Sequence, residues 1–489
     1  MRLFSGSRSG GLMLLAAGTL AAQPFAATAQ APQPPAQQAI PLIGPPPPPR
    51  ILPTITKAQR AQLETMLADA AAQGLSAPSN AANAQRSDAE IINAALDKAR
   101  ALHSGRLDDS DFLKSWALRP TPYDPWPSFS DAVKQDRLAA WIADLPPPYV
   151  GYEGLRKGLA TYRAIATNGG WPTLPAGPDL TVGSKGERVV ALRKRLHIED
   201  NSVSTGGESF DQDLLAAVRR AQRRYGLNPS GIVSTQTLAA LNVPVRDRIH
   251  QIMANMERWR WLPRTLSDIR VQVNIAAAVL TLFNGDTPVA SMRAVTGRPG
   301  DETPMLQSAI HSIVINPPWN VPKSIATREL WPKEHAHPGY LKRNGFKVIK
   351  LADGGSRLQQ AAGPQSALGR LKFDFDNPFA VYLHDTPTQA TFARYDRLAS
   401  HGCVRLEKPV ELAHLLLQAD PAWTADAVEK AIADGHTQRV RLPQPVAVYL
   451  FYWTAFAGND GQMNFRADPY GWDGLLASKI EGRAQMAAR

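Results

Sequence analysis

Cys403 is the sole cysteine among 489 residues, and it sits in Ser400-His401-Gly402-Cys403-Val404-Arg405, downstream of Tyr382-Leu383-His384-Asp385. A free thiol of pKa about 8.5 is only slightly ionised near neutrality; a neighbouring imidazole can lower that to roughly 3.5–7.5 and supply the nucleophilic thiolate. Fifteen residues separate His384 from Ser400, enough for a strand end bearing a base to fold back beside a loop bearing the sulfur. His401 stands two positions before Cys403, on the same side of an extended backbone, and is a second candidate partner. Gly402 permits φ values other residues avoid and can expose backbone N–H groups near the sulfur, as an oxyanion hole needs. The competing reading is a buried, inert cysteine, common for this residue type. The flanking His and Gly favour chemistry: a thiol acyl-transferase or hydrolase, with the choice of base left open by spacing.

At these residues the sequence resembles the L,D-transpeptidase (YkuD-type) catalytic domain, whose signature is a His, a variable spacer and Ser/Thr-His-Gly-Cys. The resemblance implies that Cys403 is the nucleophile and His384 the general base. Asp385 then occupies the position whose main chain or side chain orients the base. N–H groups at Gly402 and Cys403 would hold the oxyanion, with Ser400 and His401 in support. Arg405, Tyr382 and Trp319 are candidates for substrate contact, Arg405 by steering a carboxylate unless an ion pair holds it. The implied reaction cleaves a peptidoglycan stem tetrapeptide at its terminal D-alanine through an acyl-thioester, which a neighbouring stem amine takes to give a 3→3 cross-link. Water as acceptor would make the chain an L,D-carboxypeptidase. Carbapenem acylation of Cys403 is expected on the same ground, and no cofactor is implied. A non-catalytic wall-binding protein is the alternative from another class; intact Cys403, His384 and His401 argue against it.

The totals set the frame for these residues. A hydrophobic fraction of 44% with 20% charged residues describes a soluble globular protein, and the length suggests about three domains. The net charge of +11 favours anionic partners such as a carboxylate-rich wall polymer. No run of like charges or RNA-binding signature argues for nucleic acid. Residues 1–29 read as a secretory signal, with Arg2 and Arg8, an apolar run and Ala27-Thr28-Ala29 as a cleavage site. The expectation is therefore a periplasmic, wall-associated protein with no integral membrane segment after cleavage, its partners being stem peptides and candidate cell-wall synthases. One cysteine allows no internal disulfide.

The expected fold is multidomain α+β. A Pro-rich linker at 30–52 leads to a helical scaffold at 53–170, with helices near 57–73, from Ser87 to Gly105, 130–143 and 152–167. Residues 176–243 form a three-helix module that resembles the peptidoglycan-binding type 1 domain; Ala221 and Arg193 depart from that family's pattern, and a purely structural module is the alternative. A linking helix spans 245–265. Period-two alternation then marks strands of a β-rich catalytic domain at 266–478, with Asn284-Gly285 as a hairpin turn. An insertion at 319–372, helix-leaning in sequence, reads as a lid or substrate wall because it lands just before His384. His335 and His337 within it are too few for a metal site. Pro409 opens a helix, strands follow at 446–456 and 462–466, and 479–489 is a frayed helical tail.

Overall fold

The structure is a computed structural model that describes residues 51–75, 86–352 and 354–487; the expected signal sequence and residues 30–50 of the linker lie outside them. Thr56 and Ser87 close capping boxes with Gln59 and Glu90 and start α1 (Lys57–Ala68) and α2 (Asp88–Ser104). Gly105 at φ 88 stops α2, whereas α1 ends short of the expected 73 and passes through turns to Gly74. The helix expected at 130–143 is two, α3 (Trp126–Lys134) and α4 (Leu138–Asp144), because Asp136 takes a left-handed φ of 52 between them. The scaffold's last helix is α5 (Val150–Thr167).

The three helices of the next module are α6 (Glu187–His197), α7 (Gln212–Arg224) and α8 (Thr235–Leu241), capped by Gly186, Asp211 and Ser234. Ala221 is buried in it. Arg193 is buried too, and its guanidinium donates to Asp211 at 2.6 Å and to the Ser209 carbonyl at 2.9 Å, so the atypical arginine braces the module from within. Tyr162 of α5 donates to Glu199 of the module at 2.5 Å.

The sequence reads the next helix as a connector, but α9 (Val245–Trp259) is a central element of the fold, with Ile252, Asn255, Met256 and Glu257 buried along it. Asn255 bonds Thr454 at 2.7 Å, and Arg258 pairs with Asp473 at 2.6 Å. Glu257, fully enclosed, takes Arg260 at 2.8 Å and Arg106 of the scaffold at 3.0 Å. These pairings fasten the N-terminal helices, α9 and the β-rich domain together.

The β-rich domain opens with β1 (Ile269–Asn274), β2 (Val279–Asn284), β3 (Thr287–Gly297) and β4 (Leu306–Ile315). The insertion that follows holds β5 (Trp319–Asn320), α10 (Lys323–Ile325), a single π-helical turn at Ala326–Leu330, α11 (Trp331–Ala336), α12 (Tyr340–Arg343), β6 (Phe346–Lys350) and β7 (Ser356–Gln360). It is therefore less helical than its composition suggests: a three-stranded sheet β5-β7-β6 packs with the short helices around Val321, Ile325, Leu330, Leu341 and Leu358.

The chain then gives β8 (Leu371–Phe375), β9 (Leu383–His384), β10 (Leu398–Ser400), β11 (Val404–Leu406), α13 (Pro409–Leu417), α14 (Ala425–Ala433), β12 (Gln438–Phe451), β13 (Ala455–Ala457), β14 (Met463–Phe465) and α15 (Trp472–Ala487). The nine-stranded sheet runs β10-β3-β11-β9-β8-β4-β12-β1-β2 and closes on itself through β2–β3. Sequence reading starts β12 late because its register shifts between Arg441 and Val446, where Pro443 and Pro445 break the alternation; prolines inside a sheet sit at bulges or edges. Within the expected tail, α15 is held at Arg483, which pairs with Asp108 and, at 2.5 Å, Asp111. No described helix is long and apolar enough to cross a membrane.

Candidate active site

Strands β9 and β11 lie side by side and parallel, with Leu383 opposite Val404 and His384 opposite Arg405. Leu383 and Val404 are fully buried in the sheet core. Successive side chains of a strand alternate faces, so Tyr382 and His384 from one strand and Cys403 and Arg405 from the other share the opposite face. The sequence gap between His384 and Cys403 is bridged by one strand pairing.

Around the sulfur, the Ala380 carbonyl lies 3.9 Å from Sγ, and Tyr382 presents both its backbone N–H and its hydroxyl. The Tyr382 hydroxyl is in turn hydrogen-bonded to Trp319 at the base of the insertion, and burial first, then Cys403, push its pKa up. Lys372 sits 4.3 Å from the centre of the Tyr382 ring. Burial raises the Cys403 thiol above its ordinary value; Tyr382 and the charges of Lys372 and Arg405 pull it back without prevailing.

His384 is buried and donates from Nδ1 to the Asp385 carbonyl at 2.5 Å. Burial, then the positive charge of Arg405, drive its pKa down to about 3, against the pull of the Asp385 and Leu368 carbonyls. Thiol and imidazole are thus both neutral at rest. This departs from the expectation of a thiol lowered by imidazole: among the described residues no hydrogen bond joins Sγ to either histidine. The main chain of Asp385 fixes the ring. Its carboxylate faces away, accepting from the N–H groups of Arg370 at 2.8 Å and Thr386 at 2.7 Å, and burial raises its pKa.

The loop carrying the sulfur is held from several sides. Gly402 is at φ 107, a region closed to most side chains. Its N–H donates to Ser400 Oγ at 3.1 Å, and Ser400 Oγ donates to the Cys403 carbonyl at 2.5 Å. The Gly402 N–H expected to face an oxyanion is therefore engaged, because the buried Ser400 hydroxyl accepts it; the Cys403 N–H has no acceptor among the described residues. Thr303 Oγ1 donates to the Gly402 carbonyl at 2.7 Å and accepts from the Gly297 N–H at 2.8 Å.

His401 turns toward the insertion. Its Nε2 meets Glu329 at 2.6 Å and Arg298 at 3.1 Å, and Asp301 pairs with Arg298 at 2.9 Å and Arg328 at 2.8 Å. Arg405 is half-buried with an unpaired Nε, and no ion pair engages it among the described residues. Sequence reasoning missed Thr303, Glu329, Lys372 and Ala380. Ala380 holds φ 53, an uncommon region for a residue with a Cβ. Only Asn377-Pro378 hinted at a tight turn there; Asn377 Oδ1 accepts from the N–H groups of Phe379 at 3.1 Å and Val381 at 3.0 Å. No group of three or more His, Cys, Asp or Glu that could hold a metal occurs among the described residues.

Comparison with known proteins assigns three parts of the chain to sequence families. Residues 268–428 match the YkuD family, described as "L,D-transpeptidase catalytic domain". Residues 185–241 match a family described as "Putative peptidoglycan binding domain", and residues 51–159 one described as "Scaffold domain". A curated Haemophilus influenzae protein named "Putative L,D-transpeptidase" is 32% identical over 239 residues, covering 46% of this chain and 48% of the relative. The match thus spans about half the length of that relative. Among solved structures, an L,D-transpeptidase from Xylanimonas cellulosilytica is 18% identical over 57% of this chain and 99% of its own, with a TM-score of 0.19. One from Mycobacterium smegmatis is 12% identical over 38% and 58%, with a TM-score of 0.21. Superpositions this weak carry no argument, and the assignment rests on the sequence families and the motif. The chain carries an L,D-transpeptidase catalytic domain of the YkuD type, preceded by a peptidoglycan-binding type 1 module and a scaffold domain.

Proposed function

We propose that the protein is a peptidoglycan L,D-transpeptidase that works from outside the cytoplasmic membrane on the cell wall. Cys403 Sγ attacks the carbonyl joining the third residue of a stem tetrapeptide to its terminal D-alanine, and His384 takes the thiol proton. With Nδ1 donating to the Asp385 carbonyl, Nε2 is the unprotonated nitrogen of the neutral ring and the proposed proton acceptor. The Cys403 N–H and the Tyr382 hydroxyl stabilise the oxyanion as the carbonyl opens; a single donor of this kind is worth about 3–4 kcal/mol in comparable sites. His384 then returns the proton to the departing amine of D-alanine, leaving an acyl-thioester on Cys403. A side-chain amine of a second stem resolves it, which forms a 3→3 cross-link and frees the thiol. Arg405, a cation beside the sulfur with no acid partner among the described residues, binds a carboxylate of the donor stem.

The observation that carries this reading is the β9–β11 register, which sets Tyr382, His384, Cys403 and Arg405 on one face. Incubating the protein with a disaccharide-tetrapeptide and weighing the products tests it. Released D-alanine with a cross-linked dimer is expected. Tripeptide alone means water is the acceptor, and no released D-alanine rejects the proposal.

A further inference from the structure

The peptidoglycan-binding module and the catalytic domain enclose a cleft of about 390 Å³ that Cys403 does not line. The end of α7 gives one wall, with Arg223, Tyr225 and Gly226; the segment before β10 and the turn after β14 give the other, with Tyr395, Arg397 and Arg466. Three guanidiniums thus line it against one carboxylate, that of Asp396.

No salt bridge engages any of the three among the described residues; the carboxylates of Glu407 and Asp396 act on Arg397 without pairing with it. Arg397 donates to carbonyls of Ala294 at 3.1 Å, Arg394 at 2.8 Å and Ala277 at 3.1 Å. Arg466 donates to those of Arg224 at 3.0 Å and Phe465 at 2.7 Å. Carbonyls satisfy N–H groups without cancelling the charge. Burial, then Arg397, bring the Arg466 pKa down to about 10, so the two cations sense each other. Arg223 is exposed. Gly226, at φ 67, lets Arg466 lie against the module; a Cβ there would stand 2.5 Å from Arg466 Cδ. Tyr395 is 47% exposed and offers a flat face. Leu398 of the same wall begins β10, whose far end is Ser400, the residue that holds the Cys403 carbonyl. A three-residue strand spans about 10 Å.

We propose that this cleft is a second, anion-binding subsite that takes a carboxylate-bearing portion of the peptidoglycan strand being processed at Cys403. The inference rests on the peptidoglycan reading above. A guanidinium fork suits a carboxylate, and a phosphate would satisfy the same donors, so the test separates the two.

Full-length protein carrying Cys403→Ala, to stop turnover, is co-sedimented with purified sacculi. Arg223→Glu, an exposed position that leaves the melting midpoint in place, is expected to weaken binding at least tenfold. Tyr395→Ala should weaken it less, and Lys194→Glu, an exposed charge-matched control elsewhere on the module, less than twofold. Amidating the sacculus carboxylates should weaken the Arg223 parent as the charge reversal does, and leave Arg223→Glu no weaker than before. Equal losses from Arg223→Glu and Lys194→Glu, or no loss from Arg223→Glu, overturns the subsite. Displacement by inorganic phosphate without sensitivity to amidation overturns it in favour of a phosphate ligand. D-alanine release by the Cys403-intact protein on soluble tetrapeptide reports separately on the underlying reading.

Discussion

Burial sets the resting charge of both proposed reacting groups, raising the Cys403 thiol and bringing His384 down to about 3. Between that value and the ordinary 6.5, the unfolded chain binds a proton at His384 that the folded chain refuses. Stability therefore rises with pH across that window, by up to a few kcal/mol. His384→Gln should flatten the fall in melting temperature between pH 7 and pH 4; an unchanged slope would mean the ring is not buried as a neutral base. Asp385, raised by burial, contributes the opposite slope and softens the effect. Arg405→Gln removes a positive charge beside the ring and the unpaired donor beside the sulfur. It should raise KM for the tetrapeptide several-fold, as steady-state kinetics would show. The candidate cysteine and histidines stand out in the sequence because Ser-His-Gly-Cys is a compact signature, and their roles are the proposal to be tested. That the Asp385 main chain orients the ring, while its carboxylate caps Arg370 and Thr386, was not legible, since both roles use the same residue type.

The loop bearing the sulfur depends on short elements that sequence periodicity barely marks, β9 and β10 being two and three residues long. Thr303 lies far from Cys403 in sequence, yet its hydroxyl serves the Gly402 carbonyl and the Gly297 N–H in a fully buried place. Thr303→Val leaves both groups unsatisfied, each costing about 1–3 kcal/mol. A melting curve shifted down together with slower acylation of Cys403 is expected, and unchanged values would show the clamp to be dispensable. On the insertion, Glu329 binds His401 and Arg298 from a π-helical turn, a distortion frequent at functional sites. Glu329→Gln weakens a half-exposed network worth about 1 kcal/mol or less. Faster amide exchange in 319–343 with little change in melting temperature is the expected result; equal exchange would mean the insertion is held by its apolar contacts alone. Composition pointed to an insertion and to its place, but its sheet pairs segments separated by a run of short helices, which no local pattern reports.

Across the whole molecule, α9 decides how the parts cohere. Read from sequence it joins two domains; in the fold its Glu257 is enclosed by arginines from its own end and from the scaffold, and its Arg258 reaches α15. The helix itself was visible in the sequence, whereas partners contributed by residues more than a hundred positions away were not. Glu257→Ala would leave Arg260 buried without its counter-charge, a loss of about 3–5 kcal/mol. Thermal unfolding should show a markedly lower midpoint for the scaffold and catalytic domain together. A scaffold that melts separately, with the catalytic domain unmoved, would show that α9 is the simple connector its sequence suggests.

The central claim is that the Cys403 sulfur carries the acyl group between donor and acceptor. Intact mass spectrometry of the protein quenched during reaction with disaccharide-tetrapeptide measures this directly. The account predicts an adduct equal in mass to the donor less D-alanine, mapped to Cys403 and lost in Cys403→Ala. An adduct on another residue, or D-alanine released at the parent rate by Cys403→Ala, would contradict it.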